Sequence, residues 1–403
     1  MTTSLYALLL LLLTQLPAGS CSSSSVLLLD GEDWHLSLDP ANPATKRIAA
    51  AGNKTDGAVT VPGAWQAQGF GEDIERMRHQ YIGVATYTKT IDVPAAMTDD
   101  AMSLWLVAED VHRSAELLIA GTKVTEHEGY LTRLEGNVSA HVPRGGGSLA
   151  ITLAVNSTKN DGHDGLRGTN DFLDFGETGW GGINGHVWLE SRAAAWIVDP
   201  HVQFELSPAY DAATLNVTVA VETAATAQQS PHSLSLEVSY LDAANHTLAN
   251  VSKACTPPVC IGGQSTLQSP ALWSPTSPVL HTAIIVLRDD SSGKVLSSKR
   301  VRFGLRQIEI AGGHFKLNGV YLYLHGYGDD SVYPDTVAPP TTKSVYAKRL
   351  ALVKRLGFNF VRCHSHILPD EYFEAAAEAG VLVSAEFPMI YVSAMHHSTV
   401  VVN

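Results

Sequence analysis

Two short apolar runs near the C-terminal end carry the residues best placed for chemistry. Along 358–363 side chains alternate with period two, so Phe360, Arg362 and His364 share one face while Val361 and Cys363 share the other. Along 381–387, Ser384 and Glu386 share a face opposite Val383, Ala385 and Phe387. If both runs are buried parallel strands, an Arg, a His and a Glu meet at their C-terminal ends, where parallel sheets bind ligands. Asp329 and Asp330, just after an earlier apolar run at 320–324, would reach the same rim. Each candidate also has a plainer reading. Arg362 with Glu386 could be a buried ion pair holding adjacent strands. His364 and His366 could cap the following helix or, as a His-X-His pair, bind a metal, for which no third ligand is in evidence. Asp329 and Asp330 could be solvated loop residues. His396-His397 has no context that assigns it a role.

The surrounding pattern says what must hold these residues. Phe315-Lys316-Leu317 and the run from Val320 to Leu324 flank Asn318-Gly319, the strongest short hairpin signal. A Pro-rich loop (Pro334, Pro339, Pro340) leads to a helical stretch at 344–356, where Tyr346, Leu350 and Val353 share a face and Gly357 can close the end. The strand at 358–363 follows, then a helix at 369–379 stopped by Gly380, then the strand at 381–387. This is β-α-β-α-β, the start of a parallel sheet with helical crossovers. A doubly wound sheet and a (β/α)8 barrel begin alike, and no Gly-x-Gly-x-x-Gly loop favours a dinucleotide fold, so periodicity leaves both open.

Upstream the pattern is all β. Residues 26–192 read as short alternating segments between Gly, Asp, Asn and Pro, such as Leu104-Trp105-Leu106-Val107, and predict a β-sandwich or jelly roll. Residues 197–303 repeat this over about 100 residues, the size of an immunoglobulin-like sandwich. The Ser-rich stretch after Ser20 and residues 194–200 are the expected linkers.

Composition narrows the partners. With 27 Lys and Arg against 40 Asp and Glu, the net charge is −13 and no basic block is present, which argues against nucleic acid or an anionic membrane surface. A neutral or polar ligand fits better, and nothing signals a cofactor. Leu5 to Leu13 form an apolar run followed by Pro17 and Ala18-Gly19-Ser20, read as a signal peptide at 1–20. It is too short for the roughly 20 residues of a membrane span. Six asparagines head an Asn-X-Ser/Thr triplet: Asn53, Asn137, Asn156, Asn216, Asn245 and Asn250. A secreted or lysosomal glycoprotein is expected. In that compartment Cys255 and Cys260, bracketing Pro257-Pro258, are candidates for a small-loop disulfide, whereas Cys363 reads as a buried small hydrophobe and Cys21 would open the mature chain.

Taken in order, several segments resemble glycoside hydrolase family 2, the group of β-galactosidases, β-glucuronidases and β-mannosidases. Val61-Pro62-Gly63-Ala64-Trp65, the stretch Tyr81 to Tyr87 and Gly181-Gly182-Ile183-Asn184-Gly185-His186-Val187 resemble landmarks of its sugar-binding, galactose-binding-like jelly roll. Leu272-Trp273-Ser274-Pro275 and Arg302-Phe303-Gly304-Leu305-Arg306 resemble the end of its immunoglobulin-like domain. Phe315 to Gly319 resembles the entry to its TIM barrel. Asn359, Arg362 and His366 are similar to the family signature after the second barrel strand. However, His364-Ser365-His366-Ile367-Leu368-Pro369 departs from the usual Ser-His-Tyr-Pro order, leaving the family histidine open between His364 and His366. The resemblance implies a jelly roll over 22–195, an immunoglobulin-like sandwich over 196–306 and a partial barrel of about three strands over 307–403.

It also implies retaining hydrolysis of a β-glycoside by two glutamates roughly 5 Å apart. The acid/base should follow an Asn at the end of the fourth barrel strand. Residues 315–403 number only 89 against about 250 for a whole barrel, and Glu386 comes one strand early with no Asn before it. Both catalytic glutamates are therefore expected to be missing from this chain. Asp329, Asp330, Arg362, His364, His366 and Glu386 remain as binding residues for carbohydrate. The alternative is a secreted, non-catalytic carbohydrate-binding protein made of the two β domains. A three-strand remnant with an uncovered parallel edge argues against the short chain as a settled product.

Overall fold

The computed structural model describes residues 25–74, 77–99, 101–129, 132–158, 180–224, 233–364 and 366–386. The apolar leader, Cys21 and residues 387–403 lie outside them.

Alternating Leu, Val, Ile and aromatic residues build a first two-sheet sandwich. One sheet has four strands in the order Val26–Leu28, Val187–Arg192, Ser103–Ala108, Leu134–Asn137. The other has six, Thr122–Glu128, Ser114–Ile119, Gly147–Asn156, Val84–Val93, Gly31–Leu38, Asp56–Val61. Inward residues of both sheets, among them Leu36, Tyr87, Leu106, Leu117, Leu153 and Leu189, are each 0% exposed and form one core. Burying each large apolar side chain contributes about 1.5–3 kcal/mol.

The strand Ala195–Leu206 opens a second sandwich, so all but the first residue of the expected linker at 194–200 is strand. Trp196 and Ile197 are buried there, and apolar side chains at a joint gain more from pairing into a sheet than from solvent. Strand Ala212–Thr223 pairs with Ala195–Leu206 on one side and with Val259–Ile261 and Ser265–Gln268 on the other. Facing it is the sheet Thr247–Cys255, Leu234–Leu241, His281–Asp289, Val295–Phe303. Ala213, Leu215, Val217 and Val219, spaced two apart, are all 0% exposed. Cys255 and Cys260 are joined by a disulfide, S–S 2.05 Å.

The third unit begins with an antiparallel sheet, Ile308–Ala311, His314–Leu317 and Val320–Leu322. Asn318 (φ 51°) and Gly319 (φ 75°) both take the left-handed region that a two-residue hairpin turn requires. The apolar run at 320–324 is thus the return arm of that hairpin, not the first parallel strand. That strand lies farther on, at β1 (Gly326–Asp329). It is followed by α1 (Lys343–Arg355), β2 (Phe360–Cys363), α2 (Asp370–Ala379) and β3 (Leu382–Ala385), with both strand pairs parallel. Tyr346, Leu350 and Val353 form the buried stripe of α1, and Lys354 and Arg355 sit in its last turn, where the helix dipole favours cations. Asp370 and Glu371 occupy the first turn of α2, and Gly380 (φ 72°) closes it in the left-handed conformation. Tyr346 and Tyr372, both 0% exposed, meet edge-on at 5.3 Å between ring centroids and tie the two helices together.

Candidate functional site

The parallel unit has two unlike faces. Tyr327, Val361 and Cys363 point toward α1 and α2, and Val361 and Cys363 are 0% exposed. On the other face the pairing sets Gly328, Arg362 and Ser384 in one row across β1, β2 and β3. Arg362 and Ser384 are exposed, so these strands are not buried on both sides as the sequence suggested.

Three of the expected residues converge on this open face. Arg362 Nε donates to Glu386 Oε1 at 2.5 Å. Arg362 Nη2 lies 3.0 Å from His364 Nδ1, and that nitrogen lies 3.3 Å from Glu386 Oε2. His364 Nδ1 therefore accepts from Arg362 when bare and donates to Glu386 when protonated. The Arg362 side chain is 51% exposed and Glu386 30%, so their pairing contributes at most about 1 kcal/mol. This is not the buried ion pair of the plainer reading. Beside Arg362 the floor is bare, because a Cβ on Gly328 would meet nothing within 4 Å. A guanidinium, an imidazole and a carboxylate thus lie together on an exposed sheet face, with donors and acceptors suited to hydroxyl groups.

The other candidates lie elsewhere. Asp329 is not on the rim: it shares the helix-facing side with Cys363, is 6% exposed, and pairs with Arg349 of α1 at 3.4 Å while accepting from the Ser331 amide. Its strand is Gly326–Asp329 rather than the run at 320–324, so Asp329 is the last paired residue of that strand, opposite Cys363, and not a loop residue beyond it. Asp330 is exposed in the following loop and borders a recess with Tyr327, Arg349 and Leu352. His366 is 8% exposed and its Nδ1 donates to the His364 carbonyl at 2.9 Å, which fixes the loop. Neither histidine caps α2, whose first flanking residue is Pro369 with no side-chain cap. Among the described residues no group of three His, Cys, Asp or Glu gathers as a metal site. Burial pushes the Cys363 thiol up to about 12, leaving it a protonated core residue.

Contacts that the sequence did not signal seat this unit on the two sandwiches. His186 Nδ1 donates to Asp30 at 2.5 Å and Nε2 donates to Glu371 of α2 at 3.0 Å. The two carboxylates raise its pKa to about 10, and His186 in turn holds the Glu371 carboxyl below its usual value. At the other end of α2, Trp273 Nε1 donates to the Ala377 carbonyl at 2.8 Å while the Arg306 guanidinium lies 4.7 Å from its ring centroid. A cleft of about 390 Å³ between the first sandwich and α2 is bordered by Glu109, Arg133, Trp180, Ile367, Glu371 and Phe373. Partners 185 residues apart leave no local pattern to read.

Comparison with known proteins places this geometry. The family model "Glycosyl hydrolases family 2" matches residues 195–306. A β-glucuronidase from Paenibacillus borealis is 23% identical over 329 residues, 77% of this chain and 50% of that protein. An exo-β-D-glucosaminidase from Amycolatopsis orientalis is 26% identical over 302 residues, 70% of this chain and 27% of its own length. The solved β-glucuronidase of Bifidobacterium dentium superposes with a TM-score of 0.71 at 20% identity, covering 93% of this chain and 63% of that one. In sequence and in fold the chain is similar to the glycosyl hydrolases of family 2. It is mostly β and multi-domain, as its structural neighbours are, including a Bacteroides fragilis putative β-galactosidase with a TM-score of 0.73 at 20% identity that it covers to 53%. It spans about half the length of the first of these curated relatives.

The segments that resemble family 2 landmarks meet in space. The Trp65 amide donates to the Gly181 carbonyl at 3.0 Å, a Cβ on Gly181 would fall inside the Trp65 indole, and Tyr81 packs edge-on to that ring at 5.9 Å. The Trp273 backbone amide likewise donates to the Leu305 carbonyl at 2.8 Å, and Asn318 Nδ2 donates to the Trp273 carbonyl at 3.1 Å. Among the described residues no helix is long and apolar enough to cross a membrane.

Proposed function

We propose that this chain supplies the substrate-binding half of a secreted, retaining β-glycosidase of family 2 type. In this reading residues 22–195 are the sugar-binding jelly roll, 196–306 the immunoglobulin-like sandwich, and 307–403 the first three β/α units of a (β/α)8 barrel. The observation that carries it is the convergence of Arg362, His364 and Glu386 on one open face at the C-terminal ends of two neighbouring parallel strands. Arg362 donates to sugar hydroxyls, Glu386 accepts from them, and His364 does either according to its proton.

Retaining hydrolysis needs two carboxylates about 5 Å apart, one protonated and one ionised. Glu386 instead has Arg362 and His364 as neighbours and follows Ala385, so it takes neither catalytic role. This polypeptide by itself binds β-glycosides without turning them over. Its route through the secretory pathway is supported by six Asn-X-Ser/Thr asparagines that are all at least partly exposed and by the Cys255–Cys260 disulfide. Saturation-transfer NMR with methyl β-glycosides tests the reading. Contact with the sugar that is lost in Arg362→Ala supports it, and contact that survives Arg362→Ala unchanged removes the rim as the binding face.

A further inference from the structure

Asn137 ends the strand Leu134–Asn137 directly across the ladder from Trp105 on Ser103–Ala108. Paired residues rise from the same face of a sheet with Cβ atoms about 5 Å apart. Asn137 is exposed and heads the triplet Asn137-Val138-Ser139. Its Oδ1 accepts from the Ser139 amide at 3.0 Å, which leaves Nδ2 as the atom for a linkage. Trp105 is half-buried. The Arg192 guanidinium lies 4.5 Å from the Trp105 ring, Trp196 tilts against it at 5.9 Å, and its Nε1 donates to Ser103 Oγ at 3.0 Å. With that donor satisfied, the ring surface still reached by solvent is apolar.

The other five asparagines of this kind face no aromatic across their ladders. Asn156 pairs with Ser114 and Val84, Asn216 with Gln203, and Asn250 with Ser239. Asn245 accepts from Arg300 in a turn, and Asn53 follows the turn after the helix Pro43–Ala50.

We propose that Asn137 carries an N-linked glycan whose first N-acetylglucosamine rests on the exposed indole surface of Trp105. This inference rests on the secretory reading above. In the transfer a lipid-linked oligosaccharyl pyrophosphate is the donor: its C1–O bond breaks, a C1–Nδ2 bond forms, and the Nδ2 proton leaves with the lipid pyrophosphate. The C–H face of a pyranose is weakly positive and meets the negative face of the indole, and apolar surface leaves water on both sides. Because Trp105, Arg192 and Trp196 stack across the joint between the first and second sandwiches, the sugar covers that joint. The five other glycans would stand in solvent as bulk alone.

The test uses the full chain secreted from a eukaryotic host. Occupancy at each asparagine is read by peptide mass spectrometry after peptide N-glycosidase digestion in heavy-oxygen water, and release rates are then followed on the folded protein. Asn137 is expected to be occupied, with its glycan released about fivefold to tenfold more slowly than that of Asn245. The gap should close in Trp105→Leu. Should that variant fail to fold, Asn137→Gln should lower Tm where Asn250→Gln, at an exposed strand position, does not. If the other sites are occupied but Asn137 is bare, or if its glycan leaves as fast as that of Asn245 and Asn137→Gln keeps the wild-type Tm, this proposal fails alone. If none of the six is occupied, the secretory reading fails with it.

Discussion

The Trp65 pocket of the first sandwich and the Arg362 rim of the parallel unit both gather residues far apart in sequence, yet they differ in what they expose. Trp65, Tyr87 and Ile183 are each 0% exposed and closed against Gly181 and Gly182. Arg362 and Ser384 face solvent beside the bare floor of Gly328. The first arrangement specifies a fold, because close packing punishes any change of volume. The second leaves charged and hydroxyl groups in contact with solvent. Family resemblance drew attention to both, and exposure is what distinguishes them.

Four changes break or sharpen this contrast, taken from the largest effect to the smallest. Trp65→Ala empties a sealed pocket and should cost about 3–5 kcal/mol in urea denaturation. Reducing the contrast to chain entropy, Cys255→Ser with Cys260→Ser opens a small loop in the second sandwich and should cost about 2 kcal/mol by the same assay.

The His186 clamp is intermediate, with a side chain 34% exposed. Its folded pKa, about 10, lies above the ordinary 6.5, so its contribution is complete below pH 6.5 and fades as pH rises through 10. Glu371 has a lowered pKa, so its share is present above 4.5 and is lost as pH falls. Together they favour pH 4.5 to 6.5. His186→Gln should lower Tm by about 2 °C at pH 6, a figure discounted for exposure, and by progressively less toward pH 10 in thermal melts. Last, Glu386→Gln should change stability by no more than about 1 kcal/mol while weakening glycoside binding in a titration.

Much of this was legible in the chain. Asn318-Gly319 announced its hairpin, the Tyr346, Leu350 and Val353 stripe gave α1, and period-two alternation put Arg362 and His364 on one face. The misreadings trace to pairing that only the assembled sheets reveal. The run at 320–324 looks like a buried strand, but pairing with His314–Leu317 claimed it, so β1 begins at Gly326 and Asp329 turns inward to Arg349. Residues 194–200 look like a linker because Pro200 breaks the pattern, which the strand absorbs as a register shift between Ile197 and Pro200. The clamp of Asp30, His186 and Glu371 joins three distant segments, and only the assembled fold brings them together.

The most direct test of the central claim measures binding and turnover in one sample. Saturation-transfer NMR with a panel of nitrophenyl β-glycosides, followed by absorbance of released nitrophenol, should show sugar contact that Glu386→Ala abolishes, with no release above the buffer rate. Release that Glu386→Ala eliminates would make Glu386 a catalytic carboxylate and contradict the account.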